Sequence, residues 1–283
     1  GIKAVPVRRM AAPLEQLLVP GGTLGGRDQR CDELRGSGEL RYVAAWRIEN
    51  PVLFNRFDAE KESLRNTLRR ARANRVIAPL AHLRRPLLEA TEQFPAKLDK
   101  GVNEVWLLHG TSPENILKIA TAGFNERLCS NGRFGRGVYF AEDVGKTDQY
   151  ATPDRRHKAS QEGSDDSLYR LHRLLYPGGE SEHPKDVFYV FVCRVLLGAF
   201  VRTIDGQQRL AEADAWGSGP VWRGRASRPG DAHHELADIP NVSEPFHALV
   251  VELGGCLQRY REFVSFHSET RVYPEYLVAY KRV

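Results

Sequence analysis

Three residues stand at the edges of short apolar runs, where a side chain could be presented to a substrate. His109 closes Val105-Trp-Leu-Leu108 and is followed by Gly110. Tyr139 lies in Val138-Tyr-Phe-Ala141, directly after a glycine-rich run over residues 131–137. Glu262 opens the run that ends at Phe266. An imidazole and a carboxylate handle protons and charge, and a tyrosine offers a stacking face. Singly, each has an ordinary structural reading: a histidine ending a strand, a core tyrosine, a solvated glutamate. Other chemistry is easier to exclude. The cysteines, Cys31, Cys129, Cys193 and Cys256, are isolated with no CxxC spacing, which argues against a zinc ribbon or a disulfide scaffold and suits a reducing compartment. The glycine-rich run precedes a strand, whereas the dinucleotide fingerprint of Rossmann proteins follows a strand and opens a helix.

The elements that would position these residues can be read from periodicity and punctuation. Leu40–Ile48 reads as a strand, and Asn50-Pro51 as the start of an amphipathic helix to about Arg75, with Phe54, Phe57, Leu64 and Leu68 at helical spacing. Residues 79–100 read as a connector with room for a short helix. Val105–Leu108 is a strand that turns at His109-Gly110. Ser112-Pro113 opens a helix that Gly123 stops. Val138–Ala141 is another short strand, and a helix follows from about Asp143 to Tyr150. Residues 152–185 are polar and read as a surface insertion with a helix near Leu168–Leu175. Val187–Val201 reads as one long buried strand, interrupted in polarity by Arg194, and residues 205–245 as loops. Strands over Ala248–Leu253, Arg261–Phe266 and Tyr276–Tyr280 end the chain. Short strands with few helices, without βαβ alternation, predict an α+β fold with a largely antiparallel or mixed sheet. Residues 1–38, rich in Gly, Pro and charge, read as an N-terminal extension, and 39–283 as the catalytic domain. The chain opens Gly-Ile, which suits a piece of a longer or processed protein.

Taken together, the three runs resemble the catalytic domain of the poly(ADP-ribose) polymerase family, whose signature is a His, a Tyr and a Glu on three strands. The matching stretches are Leu108-His109-Gly110-Thr111; Phe134-Gly-Arg-Gly-Val-Tyr139-Phe-Ala-Glu142, continuing through Lys146-Thr147-Asp-Gln-Tyr150; and Tyr260-Arg-Glu262-Phe-Val-Ser-Phe266, followed by Tyr273-Pro-Glu-Tyr-Leu277. The order and flanks agree over roughly residues 101–283, and the look is most like tankyrases and the shorter transferases of the family. The resemblance implies an ADP-ribosyltransferase fold built around an NAD groove. It implies that NAD is the substrate, that nicotinamide is released, and that ADP-ribose passes to an acceptor, either a protein, the enzyme itself included, or a nucleic acid. His109, Tyr139 and Glu262 are then the catalytic set. His109, Gly110, Thr111, Tyr139, Ala141, Lys146, Thr147 and Tyr150 are the NAD-binding set.

The chemistry of NAD fits that assignment. Its nicotinamide already carries positive charge, so no general acid is needed to expel it, unlike an ordinary glycoside leaving group. What remains is to stabilise an oxocarbenium-like ribose and to hold the leaving group. By resemblance, Glu262 accepts the ribose 2′-hydroxyl and places negative charge beside the cation. Tyr139 and Tyr150 sandwich the nicotinamide ring. The Gly110 backbone and the Thr147 hydroxyl meet its amide, and His109 holds the adenosine-side ribose. Ala141 leaves room beside the ring, and Lys146 sits near the pocket or handles the acceptor. Arg133 and Arg136, on the loop that borders the groove, read either as pyrophosphate contacts or as solvated loop arginines. Glu275, also on a terminal strand, lacks the Glu-aromatic-Val context that marks Glu262-Phe263-Val264.

Tankyrases carry a Cys/His zinc site after the second motif. Here His157, His172 and His183 occur without cysteine, which predicts no metal. Only about 60 residues separate Ile48 from His109, too few for the long helical regulatory domain of the nuclear DNA-damage members. Charge is uneven: residues 1–100 hold 19 Lys/Arg against 12 Asp/Glu. Seven arginines lie from Arg65 to Arg85 with no acid among them; they read either as a solvated helix face or as a nucleic-acid surface. No apolar run reaches a membrane span, and the expected setting is intracellular, cytoplasmic or nuclear. Single-unit and polymer transfer both stay open. A catalytically silent NAD-binding or interaction module is the competing class, and it would be marked by loss of His109, Tyr139 or Glu262.

Overall fold

The structure is a computed structural model that describes residues 1–22, 24, 38–71, 83–129, 132–155, 167–178, 182–210, 218–224, 235–240 and 242–283. Among these, nine strands form two sheets. The first sheet is ordered β1 (Lys3–Pro6), β2 (Leu40–Glu49), β9 (Val272–Arg282), β5 (Phe188–Leu196) and β3 (Glu104–Gly110), antiparallel throughout. The second is ordered β4 (Val138–Phe140), β8 (Glu262–Ser265), β7 (Ala248–Val251) and β6 (Phe200–Thr203), with β6 and β7 parallel and the rest antiparallel. The sheets are joined where β3 meets the end of β4. Leu108 N–H donates to the Ala141 carbonyl at 2.8 Å, and Ala141 N–H returns a bond to Leu108 at 3.0 Å. That junction sets His109 beside β4.

Among the described residues, seven α-helices flank the sheets: α1 (Ala11–Gln16), α2 (Pro51–Ala71), α3 (Arg85–Thr91), α4 (Pro113–Ala122), α5 (Val144–Thr147), α6 (Ser167–Leu175) and α7 (Ser268–Arg271). Asn50 caps α2 as its sequence predicts, its Oδ1 accepting from the N–H groups of Val52 and Leu53 at 3.2 Å. Its amide also donates to the Ala120 and Thr121 carbonyls at the end of α4, at 3.0 and 2.9 Å. One side chain thus joins two helices. The apolar face of α2, Leu53, Phe57, Leu64 and Leu68, is buried, each residue contributing about 1.5–3 kcal/mol. The expected continuation to Arg75 lies outside the described residues.

The core is densest along β5, every residue of which is buried. Arg194 survives there because Glu104 accepts its Nε at 2.6 Å and Glu275 its Nη1 at 3.5 Å. The expected single strand over Val187–Val201 is instead two, β5 and β6, in different sheets. Gly198 causes the break. It adopts φ 56°, and a Cβ there would collide with the His247 imidazole, so the chain leaves one sheet and enters the other. Residues 1–22 are integrated with the rest of the fold: β1 forms the sheet edge along β2, and α1 packs on α3 and β2. Among the described residues, no helix is long and apolar enough to cross a membrane.

Candidate active site

The candidate residues gather where the two sheets meet. The end of β3 delivers His109, whose Nδ1 lies 2.9 Å from the Tyr139 carbonyl oxygen. A carbonyl only accepts, so Nδ1 carries the proton and Nε2 is left as an acceptor for a hydroxyl. The ring stands edge-on to Phe124 at 4.9 Å and near Phe140 at 5.4 Å. Burial pushes His109 down to about 4, against the opposing pull of the Tyr139 carbonyl. The imidazole is therefore neutral at physiological pH, suited to orienting a hydroxyl. A stability consequence follows from the sign. The unfolded chain binds a proton near pH 6.5 that folded His109 refuses until about 4, so stability is lost as pH falls through that window. His247, also pushed well down by burial, acts in the same direction. The urea midpoint is expected to fall from about pH 7 to about pH 5. A midpoint that held or rose would show that these rings are not enclosed as described.

Gly110 follows. A Cβ on it would collide with the Thr147 carbonyl, so β3 and α5 pack backbone against backbone, a contact only glycine permits. The short helix α5 is capped by Asp143, whose Oδ1 accepts from Gly145 N–H at 2.8 Å. It carries Lys146 and Thr147, both buried, and leads into the turn 148–150 that presents Tyr150, which is 50% exposed. The Thr147 hydroxyl donates to the Val144 carbonyl at 3.1 Å, leaving its lone pairs to accept. Asp148 anchors the turn: it accepts from the Tyr280 hydroxyl at 2.6 Å and from Arg282 Nε at 3.1 Å.

Tyr139 on β4 organises the glycine-rich loop. Its hydroxyl donates to the Gly135 carbonyl at 2.9 Å and accepts from Phe134 N–H at 2.8 Å. Burial pushes that hydroxyl up, and the charges of Glu262 and Tyr150 push it further. Glu262 opens β8, which pairs with β4 through Tyr139–Val264. Its carboxylate is 2.6 Å from the Lys146 ammonium, with the two side chains 8% and 11% exposed. Lys146 also stands 5.5 Å above the Tyr150 ring. The contacts run from His109 to Tyr139, from Glu262 to Lys146, from Lys146 to Tyr150 and from Thr147 to Gly110, and the β4–β8 pairing sets Glu262 on the strand next to Tyr139. Ala141 is buried at the sheet junction. Thr111 lies outside these contacts, its hydroxyl accepting from Asn115 at 3.3 Å. Arg133 and Arg136 donate to loop carbonyls, Arg133 to Cys256 at 3.1 Å and Arg136 to Cys129 at 3.4 Å.

Residues 35–282 match the family model of the poly(ADP-ribose) polymerase catalytic domain. The chain belongs to that family. Its fold is the ADP-ribosyltransferase fold, here a mixed and antiparallel pair of sheets with flanking helices. Members of this polymerase family use NAD as substrate and modify protein acceptors, which makes an ADP-ribosyltransferase activity the family's implication for this chain.

Sequence reading missed the support beneath Glu262. The neighbouring Arg261 makes a two-pronged pair with Glu142, Nε to Oε1 at 2.6 Å and Nη2 to Oε2 at 2.8 Å. Its Nη1 reaches Glu252 at 3.3 Å, and Glu252 also takes Arg202 at 2.7 Å. One charge cluster therefore ties together the same end of β4, β8, β7 and β6. The hint lay in Glu142, which directly follows Ala141 in the second motif. Among the described residues, one group has metal-type donors close together, Asp154, His172 and His183, all within 4.8 Å. Their bonding is that of a clasp: His172 and His183 Nε2 lie 2.8 and 3.2 Å from one Asp154 oxygen. Lys185 N–H donates to His183 Nδ1 at 3.2 Å, so His183 Nε2 bears the proton and donates to Asp154. Burial alone would raise the Asp154 carboxyl, but the two histidine bonds outweigh it and hold it at about 2. His157 lies outside the described residues.

Proposed function

We propose that this chain is an active transferase that cleaves NAD at the nicotinamide–ribose bond and passes ADP-ribose to a protein acceptor, its own surface included. The carrying observation is Glu262, a nearly buried carboxylate on the strand beside Tyr139, held at 2.6 Å by Lys146. As the glycosidic bond breaks, its electron pair moves onto the cationic nicotinamide nitrogen, and nicotinamide leaves neutral. The positive charge passes to the ribose, where Glu262 opposes it and accepts the 2′-hydroxyl. An acceptor nucleophile then bonds to the anomeric carbon and releases its proton. Tyr139 and Tyr150 face the leaving ring. The Gly110 backbone and the Thr147 oxygen take its amide, and His109 Nε2 accepts from the adenosine-side ribose. Thr111, next in sequence to Gly110, joins the NAD-binding set by the family resemblance.

Protein acceptors suit this surface better than nucleic acid. Of the five described arginines in the 65–85 run, four pair with acids, Arg65 with Asp99 at 2.5 Å, Arg70 with Glu244 at 2.7 Å, Arg84 with Asp143 at 2.5 Å and Arg85 with Glu89 at 2.5 Å, and exposed Arg69 bonds Asn66 at 3.5 Å. Arg72 and Arg75 lie outside the described residues. Incubation with NAD labelled in the adenylate moiety, followed by denaturing gel electrophoresis, tests the proposal. Label on protein is expected: a discrete band means single-unit transfer and a ladder means polymer. Absence of label, with NAD still bound, would leave the silent binding module in its place.

A further inference from the structure

We infer that the N-terminal extension belongs to the catalytic unit, with Gly21 and Arg84 acting as positioning residues for the nicotinamide end of the site through Asp143. The inference rests on the reading that α5 and Tyr150 hold the nicotinamide. Asp143 caps α5, and its other contacts come from distant chain. Gly21 N–H donates to Asp143 Oδ2 at 3.0 Å, and Arg84 Nη1 lies 2.5 Å from the same oxygen. Arg84 Nη1 also donates to the Val19 carbonyl at 3.2 Å, so the arginine bridges extension and cap. A Cβ on Gly21 would lie 2.5 Å from Asp143 Oδ2 and 2.6 Å from the Arg84 guanidinium; the space is filled to the backbone, and any side chain must push the pair apart. Behind this contact, Leu14, Leu17, Leu18 and Leu24 are buried in one cluster with Leu108 and Val144. Leu108 precedes His109, and Val144 is the first residue of α5. The extension therefore backs both walls that Gly110 and Thr147 bring together, although the family match begins only at residue 35. β8, which carries Glu262, is held by the Arg261 cluster, to which Arg84 contributes only its backbone N–H, on Glu142 at 2.6 Å, a bond that substitution of the Arg84 side chain leaves in place. Loosening Asp143 is thus expected to weaken ligand positioning at the nicotinamide end more than the chemical step.

The test compares the full chain with Arg84→Ala, Arg84→Lys and Gly21→Ala. Benzamide serves as the nicotinamide-side probe and ADP-ribose as the adenosine-side probe; both Kd values are measured, with KM and kcat for NAD. For Arg84→Ala and Gly21→Ala, benzamide Kd and the KM for NAD are expected to rise about fivefold, the scale of a lost helix cap. ADP-ribose Kd and kcat are expected to stay within about twofold. Arg84→Lys is expected to restore most of the loss. Unchanged benzamide binding, or equal loss of both probes, would overturn the inference, the second outcome marking general unfolding. Wild-type protein that bound neither probe would remove the NAD-site reading itself, and this inference with it.

Discussion

Glu262→Gln is expected to lower kcat for ADP-ribose transfer by about a thousandfold while NAD affinity changes little, the scale seen when one preorganised electrostatic partner of a transition state is removed. The amide keeps the size of the carboxylate and an oxygen that can accept the ribose hydroxyl. It loses the negative charge, and that charge matters only once the ribose becomes cationic. Binding is therefore spared and the barrier is not. A structural cost comes with it. The Lys146 ammonium is 2.6 Å from the carboxylate and only 11% exposed, and the amide takes away the negative charge that faces it. The double variant Glu262→Gln/Lys146→Met separates the two effects: it is expected to recover the thermal midpoint lost by the single variant and none of the activity. A single variant with kcat within about tenfold of wild type would sink the electrostatic role given to Glu262.

The contrast between Glu262 and Glu275 shows what a sequence can and cannot reveal. Both are glutamates near the starts of C-terminal strands, and hydrophobic periodicity does not separate them. The likeness of Glu262-Phe-Val to a known motif did. Their partners in space are unlike. Glu275 is buried between Arg47 at 3.3 Å and Arg194 at 3.5 Å, inside an ion network that joins β2, β5 and β9. Glu262 lies with Tyr139, Lys146 and, through them, Tyr150. Local signals served well where the determinant was local: the Asn50-Pro51 cap, the Gly123 stop, and the short apolar run after the glycine-rich stretch that places Tyr139 on a strand. They failed where it was distant. β1 is four residues long and forms because β2 offers an open edge, Lys3 opposite Glu49 and Pro6 opposite Trp46. The break at Gly198 depends on the His247 ring, and the Asp154 clasp draws its histidines from two later segments. None of these partners lies within reach of a helical or strand period.

Arg261→Ala is expected to destabilise the fold by about 3 kcal/mol, the low end for removing one member of a buried ion pair. The low end applies because the side chains of Arg261, Glu142 and Glu252 keep 9%, 10% and 12% exposure, so some water can follow the lost charge. Two carboxylates are left behind, and only Glu252 retains a guanidinium, that of Arg202 at 2.7 Å. Glu142 keeps the Arg84 backbone N–H at 2.6 Å, which satisfies one oxygen without neutralising it. Because the cluster links β4, β8, β7 and β6 at one end, its loss also frees the start of β8 and with it Glu262. Chemical denaturation measures the stability term, and kcat measured well below the unfolding midpoint measures the site. The expected result is a fall in both, with the kcat loss smaller than that of Glu262→Gln. Arg261→Lys keeps a charge but cannot grip Glu142 with two parallel donors, so it should recover stability only in part. If Arg261→Ala lost less than about 1 kcal/mol, the cluster would rank as an ordinary surface ion pair, and the rigidity of β8 would have to come from the apolar packing of Phe263 and Val264 alone.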